Sequence, residues 1–194
     1  MREIAILTFV TLDGVMQAPS DPGEDLSGDF ERGGWAQPWW GEVMEQVGEV
    51  AMSSPYDLLL GRKTYELFAP HWENAESDDG PAGILNNAVK YVATNTLTNL
   101  SWRNSIAVTG DIATEIKNLK AQDGPLLQVH GSQQLIQLLL AHDLVDEYRL
   151  WTFPVAVGAG KRLFEDVAEL PPLTLTKTES TANGALMAIY RRAT

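Results

Sequence analysis

The segment LLLGRKTYELF, residues 58–68, decides the predicted fold because a strand and a helix meet within it. The three leucines are typical of a strand buried on both faces, and TYELF continues with helical spacing. Gly61 would let the backbone approach another group closely, while a helix start and the two cations Arg62 and Lys63 attract an anion. The hydroxyl of Thr64 could cap the helix or bind an oxygen. Two interpretations follow: a phosphate-binding turn, or an ordinary helix start with solvated cations.

Strand-like and helix-like segments alternate on both sides of this stretch. Short apolar runs rich in β-branched residues predict strands, and apolar residues three or four positions apart predict helices. Asp111 and Ser132 are predicted N-caps because each precedes a helical pattern. Pro70 is expected to stop the helix that begins after Gly61. We predict strands at residues 4–10, 56–61, 90–95, 105–110, 125–131 and 146–157, and helices at 40–51, 64–70, 82–88, 112–119 and 133–140.

The C-terminal part of the chain changes character. Residues 173–181 alternate apolar and polar side chains, ANG at 182–184 provides a turn, and residues 185–192 return, which is the pattern of a hairpin. The alternating body and the antiparallel end predict one α/β domain over residues 1–194, with a mostly parallel central sheet and a C-terminal antiparallel hairpin. Residues 17–38 lack periodicity and predict a long loop of the kind that often serves as a lid or binding loop.

Composition and charge exclude several classes of function. The 194 residues include no cysteine, so disulfides, thiolate catalysis and cysteine-ligated metals are excluded. A formal net charge of −12 disfavours binding to nucleic acid or to an anionic membrane surface. The apolar runs are shorter than a membrane span, and the N-terminus lacks a signal-peptide pattern. We therefore expect a soluble cytoplasmic protein, with the acidic residues 73–81 forming a surface loop.

Four of the predicted strands end in polar or glycine-rich sequence, at residues 12–14, 61–64, 130–133 and 158–162. If the strands are parallel, these ends lie at the same edge of the sheet, where α/β proteins bind their ligands. The two glycine turns, GRKT and HGSQ, could bind the two phosphates of a dinucleotide from opposite sides. Neither turn has the spacing G-x-G-x-x-G or G-x-x-x-x-G-K-[ST], which disfavours a Rossmann-type dehydrogenase and a P-loop nucleotidase.

Asp13 and the three histidines carry side chains that could take part in proton transfer. Asp13 ends the first strand and precedes Gly14, so it could orient a heterocycle or relay a proton, or it could simply cap the turn. His71, His130 and His142 show no metal-ligand spacing. We therefore assign no metal site and expect the histidines to be structural or exposed.

The order of these motifs resembles that of one protein superfamily. TLDGVM after the first strand, then LLLGRKTYE, VATNT, LLQVHGS, and FPVAVGAGKRLFED before a C-terminal hairpin follow one another as in the dihydrofolate reductase-like fold. More specifically, the chain resembles the C-terminal reductase domain of the bifunctional riboflavin-biosynthesis deaminase–reductase, in a stand-alone bacterial form. The resemblance covers essentially the whole chain and implies a three-layer fold and a homodimer.

The resemblance also implies NADPH as the cofactor. In such enzymes the turn that begins here at Gly61 holds the cofactor phosphates, and Arg62 would meet the 2′-phosphate. Asp13 matches an aspartate that is implicated at the substrate and is the candidate catalytic residue. The other residues assigned to the cofactor are Lys63, Thr64, Gly131, Ser132 and Gln133 at the pyrophosphate, Thr94 and Asn95 at the adenosine, and Gly158, Gly160 and Lys161 at a glycine turn near the cofactor or substrate.

Together, the residues and the resemblance predict an NADPH-dependent reductase that transfers a hydride to a small heterocycle or a ribosylated pyrimidine. Lys161 and Arg162 are the candidates for holding a ribosyl phosphate. Glu42 and Glu45 both lie on the first helix, which carries the substrate-binding acid in dihydrofolate reductases. The resemblance does not assign that role to either of them. The alternative is a catalytically silent nucleotide-binding or interaction protein whose acidic loop is a partner surface.

Overall fold

One mixed sheet of eight strands lies at the centre of the computed structural model, which describes residues 1–75, 80–165 and 169–193. In chain order the strands are β1 (Ile4–Thr11), β2 (Tyr56–Gly61), β3 (Lys90–Ala93), β4 (Ser105–Val108), β5 (Leu126–Val129), β6 (Glu147–Phe153), β7 (Leu173–Ser180) and β8 (Leu186–Arg192). Their order across the sheet is β4-β3-β2-β5-β1-β6-β8-β7. All pairings from β4 to β6 are parallel, and β8 pairs antiparallel with both β6 and β7. The predicted parallel sheet with its antiparallel C-terminal hairpin is confirmed.

Helices cover both faces of this sheet. In the described part of the chain they are α1 (Trp40–Ala51), α2 (Arg62–Trp72), α3 (Gly80–Asn87), α4 (Ile112–Ala121) and α5 (Gln133–Ala141), and a short 3-10 helix, Gln37–Trp39, precedes α1. Apolar residues of α1 pack with those of β1, β6 and β8, and those of α2 and α3 pack with β2 and β3. Residues of α4 and α5 pack on the opposite face. The predicted three-layer arrangement is therefore confirmed.

The helices on the α1 side leave a gap over the middle of the sheet. On this face α1 belongs to one apolar cluster and α2 and α3 belong to another. Strand β5 lies between the two clusters, since Gln128 is in register with Leu58 of β2 on one side and with Ala5 of β1 on the other. A groove at the carboxyl ends of the strands follows from this separation.

The long segment of residues 17–38 folds into an ordered loop with its own buried side chains. Phe30 and Trp35 are buried, and Trp35 Nε1 donates a hydrogen bond of 2.8 Å to the carbonyl of Gln17. The side-chain amide of Gln17 in turn donates to the carbonyl of Asp25 at 3.1 Å. Aperiodic sequence therefore still forms defined structure here, because two large aromatic side chains fasten the loop to the core.

Several element boundaries differ from the sequence predictions by a few residues, and proline explains two of them. Helix α2 passes through Pro70 and ends at Trp72. Pro70 removes only one internal hydrogen bond, the one that a backbone N–H at position 70 would donate to the carbonyl of Glu66. Glu66 is exposed, so water can donate to this carbonyl instead. Strand β6 ends at Phe153, four residues earlier than expected, because Pro154 cannot donate a backbone hydrogen bond to the sheet.

Two further expectations are adjusted. Ser132 occupies the N-cap position of α5, as predicted, but its hydroxyl makes no capping hydrogen bond. Helix α3 begins at Gly80, whereas residues 76–79, inside the predicted acidic loop, lie outside the described residues. No helix in the described ranges is long and apolar enough to cross a lipid bilayer.

Candidate active site

A large cleft opens at the carboxyl ends of β1, β2 and β5, in the gap between α1 and α2. Its volume is about 1760 Å³, enough for a dinucleotide with a small second molecule. The two glycine turns, residues 61–64 and 130–133, line one part of it. Loop residues 16–21 and 23–27 line another part. The predicted convergence of strand ends is thus observed for the two glycine turns, while Asp13 is not among the lining residues.

The two glycine turns are interlocked. The backbone N–H of Gly61 donates to the carbonyl of Gly131 at 3.0 Å, and the peptide bond between Gly131 and Ser132 is cis. A β-carbon at position 61 would lie 2.9 Å from the nitrogen of Ser132, and one at position 131 would lie 2.7 Å from the hydroxyl oxygen of Thr64. Each turn therefore needs glycine because the other turn packs against it, which is a different reason from the expected approach of a ligand.

The helices that follow these turns begin at the cleft. Neither Gly61 nor Ser132 uses a side chain to cap its helix, and neither first turn carries an acidic residue. The first N–H groups of a helix have no partner within it, and the helix dipole makes this end positive. Arg62 and Lys63 add two cations, and Arg62 Nη1 pairs with Glu66 Oε1 at 3.1 Å. Helix N-termini with nearby cations are an arrangement that binds phosphate groups in many proteins.

The carboxylate of Asp13 is held by its own turn and by the turn after β6. Thr11 Oγ1 donates to Asp13 Oδ1 at 2.6 Å, and the N–H groups of Val157 and Gly158 donate to the carboxylate at 3.2 and 2.7 Å. The hydroxyl bond from Thr11 lowers the pKa of Asp13 most, burial opposes this, and the two N–H groups lower the pKa further, to about 2. The contacts fasten the two turns together, and the catalytic role of Asp13 stays a prediction.

The two cations expected at a substrate phosphate are already engaged. Lys161 Nζ pairs with Asp25 Oδ2 at 2.5 Å, which ties the long loop to the turn after β6. Burial opposes ionisation of Asp25, but hydrogen bonds from Lys161 and from a neighbouring serine outweigh it and lower the pKa of Asp25. Arg162 donates to the carbonyls of Asp13 and Gly158 at 3.0 and 2.9 Å. Both cations therefore stabilise the protein's own loops.

Helix α1 contributes no acidic residue to the cleft. Glu42 accepts a hydrogen bond of 2.7 Å from the backbone N–H of Ala182 in the hairpin turn, and Glu45 is solvent-exposed. Neither lines the cleft, so the structure places neither Glu42 nor Glu45 where it could bind a ligand in the cleft. The cleft surface formed by β1 and α1 is instead mainly apolar and partly aromatic, and its residues are Leu7, Thr8, Phe9, Trp40, Met44 and Val47.

Apart from Lys161, which pairs with Asp25, the charged side chains that line the cleft separate into two regions. Arg62 and Lys63 stand at the glycine turns, whereas Asp21, Glu24 and Asp25 stand on the long loop. A ligand with an anionic part and a neutral or cationic part would match this distribution. Across residues 1–75, 80–165 and 169–193, no group of three or more His, Cys, Asp or Glu side chains is placed to hold a metal ion.

The family model of the RibD C-terminal domain matches residues 2–187. This chain belongs to that family. The RibD C-terminal domain is a reductase domain, so the cleft described above is that of a reductase-type fold.

Two other proteins are similar to this RibD C-terminal domain chain over nearly all of its length. The Bacillus subtilis (strain 168) protein named "Uncharacterized protein YyaP" is 29% identical over 193 residues, which covers 97% of this chain and 94% of YyaP. A crystal structure of a Shewanella sp. PV-4 protein whose name refers to riboflavin biosynthesis superposes with a TM-score of 0.66 at 20% identity and covers 100% of both chains. The latter likeness shows a shared fold.

In this RibD C-terminal domain, most of the sequence-predicted cofactor residues face one cleft. Asn95 also braces the sheet edge, because its side chain exchanges two hydrogen bonds with Gly110, at 2.6 and 3.1 Å. A β-carbon at Gly160 would lie 2.8 Å from Phe30 and from Val15, so this glycine serves the packing of the loop. Gly158 and Gly160 do not line the cleft, and the predicted residues that do are Gly61, Arg62, Lys63, Thr64, Thr94, Asn95, Gly131, Ser132, Gln133 and Lys161.

The structure adds one histidine to the residues of the cleft. His130 was expected to be structural or exposed, but it lines the cleft directly before Gly131. A signal for it exists in the sequence: Gln128 and His130 are polar residues two positions apart in an otherwise apolar strand, so they share one face of the sheet. Polar side chains on a buried strand face require partners or a function.

Proposed function

We propose that this protein is an NADPH-dependent reductase that delivers a hydride to the carbon of a C=N or C=O bond in a small heterocycle. The observation that carries the proposal is the pair of adjoining, side-chain-uncapped helix N-termini with Arg62 and Lys63 at one end of the cleft. Membership of a reductase-domain family supports the same reaction type.

The donor set at this end of the cleft fits the phosphates of a dinucleotide. The glycine turns offer backbone N–H groups and the hydroxyls of Thr64 and Ser132, and two cations stand beside them. Arg62 would hold the 2′-phosphate, while Lys63 and Gln133 would lie at the pyrophosphate. Thr94 and Asn95 would flank the adenosine. When bound, the cofactor supplies the hydride, and the protein binds, orients and shields the reacting groups.

Asp13 has a positioning role in this proposal. Its carboxylate holds the turn after β1 against the turn that carries Gly158 and Lys161. Lys161 then holds the long loop over the cleft through Asp25. These contacts fix the position of the long loop, which forms one side of the cleft where a substrate would bind. Asp13 therefore acts on the substrate indirectly, through Lys161 and the loop.

The substrate is proposed to lack a phosphate group. Each cation beside the long loop is engaged: Arg32 donates to the carbonyl of Val157 at 2.7 Å, and Lys161 and Arg162 bind loop groups as described. Asp21 and Glu24 add negative charge to the same part of the cleft. A phosphorylated substrate would meet repulsion there, whereas a neutral or cationic flat ring could rest on the aromatic wall.

The experiment that tests the function measures the affinities of NADPH and NADH for the wild type and for Arg62→Ala. Loss of a charged hydrogen-bonding partner is worth about 1.5–3 kcal/mol, so we expect NADPH affinity to fall roughly 10- to 150-fold with NADH affinity unchanged. Lys117→Ala on the exposed side of α4 removes the same charge outside the cleft and should change neither affinity. Unchanged NADPH affinity in Arg62→Ala would show that the assigned 2′-phosphate contact is wrong.

A second measurement separates the reductase from the catalytically silent alternative. The wild type is screened for NADPH oxidation with cyclic imines, pteridines and pyrimidinones. Oxidation that depends on one of these compounds supports the reductase. Tight NADPH binding without any substrate-dependent oxidation would favour a nucleotide-binding protein.

A further inference from the structure

A row of hydrogen-bonded polar side chains runs across the sheet and ends in the cleft. Arg149 Nε donates to Glu147 Oε1 at 2.5 Å, and Arg149 Nη1 donates to Gln128 Oε1 at 2.9 Å. Gln128 Nε2 lies 3.0 Å from His130 Nε2. Gln128 is fully buried at 0% exposure, and Glu147 is 7% exposed. A buried polar row of this kind is costly unless every member is satisfied.

The donors in this row set the protonation of His130. A guanidinium can only donate, so the amide oxygen of Gln128 must face Arg149 and the amide nitrogen must face His130. That nitrogen is a donor, and His130 Nε2 must therefore be an unprotonated acceptor. The imidazole is then neutral with its proton on Nδ1. Burial, together with the nearby charge of Arg149, lowers the pKa of His130 to about 4, which agrees with a neutral ring.

The Nδ1–H group of this ring is open to the cleft. Within the described part of the chain, Nδ1 of His130 makes no hydrogen bond, and the atom is not fully buried. The ring lines the cleft and packs edge-on against Phe68, with a centroid distance of 5.9 Å. His130 also directly precedes Gly131 of the proposed phosphate site. A donor with a fixed tautomer thus lines the cleft at the start of the glycine turn of residues 130–133.

We propose that His130 is a catalytic hydrogen-bond donor, and that its Nδ1–H binds the nitrogen or oxygen of the substrate bond that is reduced. This role rests on the proposed reductase function. When a hydride adds to the carbon of a C=N or C=O bond, the π electron pair moves to the nitrogen or oxygen, which then takes a proton from water. A neutral N–H donor at that atom stabilises the developing negative charge without losing its own proton.

Gln128 and Arg149 are positioning residues in this scheme. Gln128 fixes the tautomer of His130, and Arg149 fixes the orientation of the Gln128 amide. The substrate class that follows is a flat, unphosphorylated heterocycle with a hydrogen-bond acceptor as the heteroatom of its reducible bond. Such a ring would contact His130 with that atom and the apolar wall of β1 and α1 with its face.

The test compares three substitutions at His130, using the compound of the screen that wild type reduces fastest. The side-chain nitrogen of Asn falls near the position of Nδ1, and that of Gln falls near Nε2. His130→Phe and His130→Gln should lower kcat by about 10²- to 10³-fold, the usual effect of removing one such donor, and His130→Asn should recover part of it. NADPH affinity should stay within about twofold of wild type in all three, because His130 does not contact the phosphates in this proposal.

The tautomer provides a second, direct readout. Nitrogen-15 NMR of the imidazole in wild type at pH 7 should show a neutral ring protonated on Nδ1, and Gln128→Leu should give a mixture of tautomers with lower kcat. A ring that is protonated on Nε2 or charged would overturn the inference, as would full kcat in His130→Phe. Absence of NADPH binding by the wild type would instead overturn the proposed function, and with it this role.

Discussion

Gly61 and Ser132 are in such close contact that a side chain at position 61 would overlap the backbone and hydroxyl of Ser132. The two residues are far apart in the chain, and each belongs to one of the two glycine turns. Their contact, together with the hydrogen bond from Gly61 to Gly131, holds the N-termini of α2 and α5 side by side. The geometry of the proposed phosphate site therefore depends on packing between the two turns.

The first prediction concerns this contact. Gly61→Ala should lower the free energy of unfolding by about 1–3 kcal/mol, the usual cost of overpacking, as measured by urea denaturation. Gly48→Ala in α1 is the matched control, because a β-carbon there meets nothing within 4 Å, and it should stabilise the protein by about 0.5–1 kcal/mol. Adding Ser132→Gly to Gly61→Ala should recover part of the loss. Wild-type stability in Gly61→Ala would contradict the overlap.

The second prediction concerns the ion pair between Arg62 and Glu66. This exposed pair is worth about 0.2–1 kcal/mol and would compete with the proposed 2′-phosphate for the guanidinium. Glu66→Gln should therefore raise NADPH affinity by up to about fivefold in a calorimetric titration, with NADH affected less. Glu115→Gln on α4 removes the same charge away from the cleft and should leave both affinities unchanged. Equal gains for the two cofactors would speak against a 2′-phosphate at Arg62.

The third prediction is a pH dependence that arises from Asp13. The folded-state pKa of about 2 lies below the ordinary value of 3.8, so the stability contributed by the carboxylate is complete above about pH 4 and is lost as pH falls toward 2. Asp13→Asn should lower the urea midpoint at pH 7, and the difference from wild type should shrink between pH 4 and pH 2.5.

The matched control for this pH dependence is Asp123→Asn. Asp123 is an exposed carboxylate that pairs with the N-terminal amine at 3.3 Å, and its replacement should change the urea midpoint little. A difference between Asp13→Asn and wild type that stayed constant from pH 7 to pH 2.5 would show that the charge of Asp13 is not what stabilises the turn.

The fourth prediction concerns the long loop. Lys161→Met removes the contacts to Asp25 and Ser27, which lie at 2.5 and 2.7 Å, so amide hydrogen exchange in residues 19–27 should become faster. Lys177→Met breaks the exposed pair with Glu179 on β7 and should leave exchange in this loop unchanged. Unaltered exchange in Lys161→Met would mean that Phe30 and Trp35 suffice to hold the loop.

Local patterns predicted the elements well where one periodicity dominates. Helix α1 spans residues 40–51 as predicted, because its apolar residues recur at helical spacing, and β2 ends at Gly61 as predicted. Pro70 misled the prediction for α2, since a proline in the last turn of a helix costs only one internal hydrogen bond. The end of β6 was missed because apolar residues continue past Pro154 in the sequence.

The sequence by itself determined the order of strands and helices and the four strand-end motifs, because these depend on residues that are neighbours in the chain. Only the tertiary structure decided which side chains remain available to a ligand. From the sequence, Lys161 and Arg162 were candidates for binding a phosphate, but in the structure they bind Asp25 of the long loop and the carbonyl of Asp13. His130, in contrast, has a ring nitrogen, Nδ1, without a hydrogen-bond partner among the described residues. These outcomes depend on hydrogen bonds between residues that are far apart in the sequence, and the geometry of such bonds cannot be predicted from a local sequence pattern.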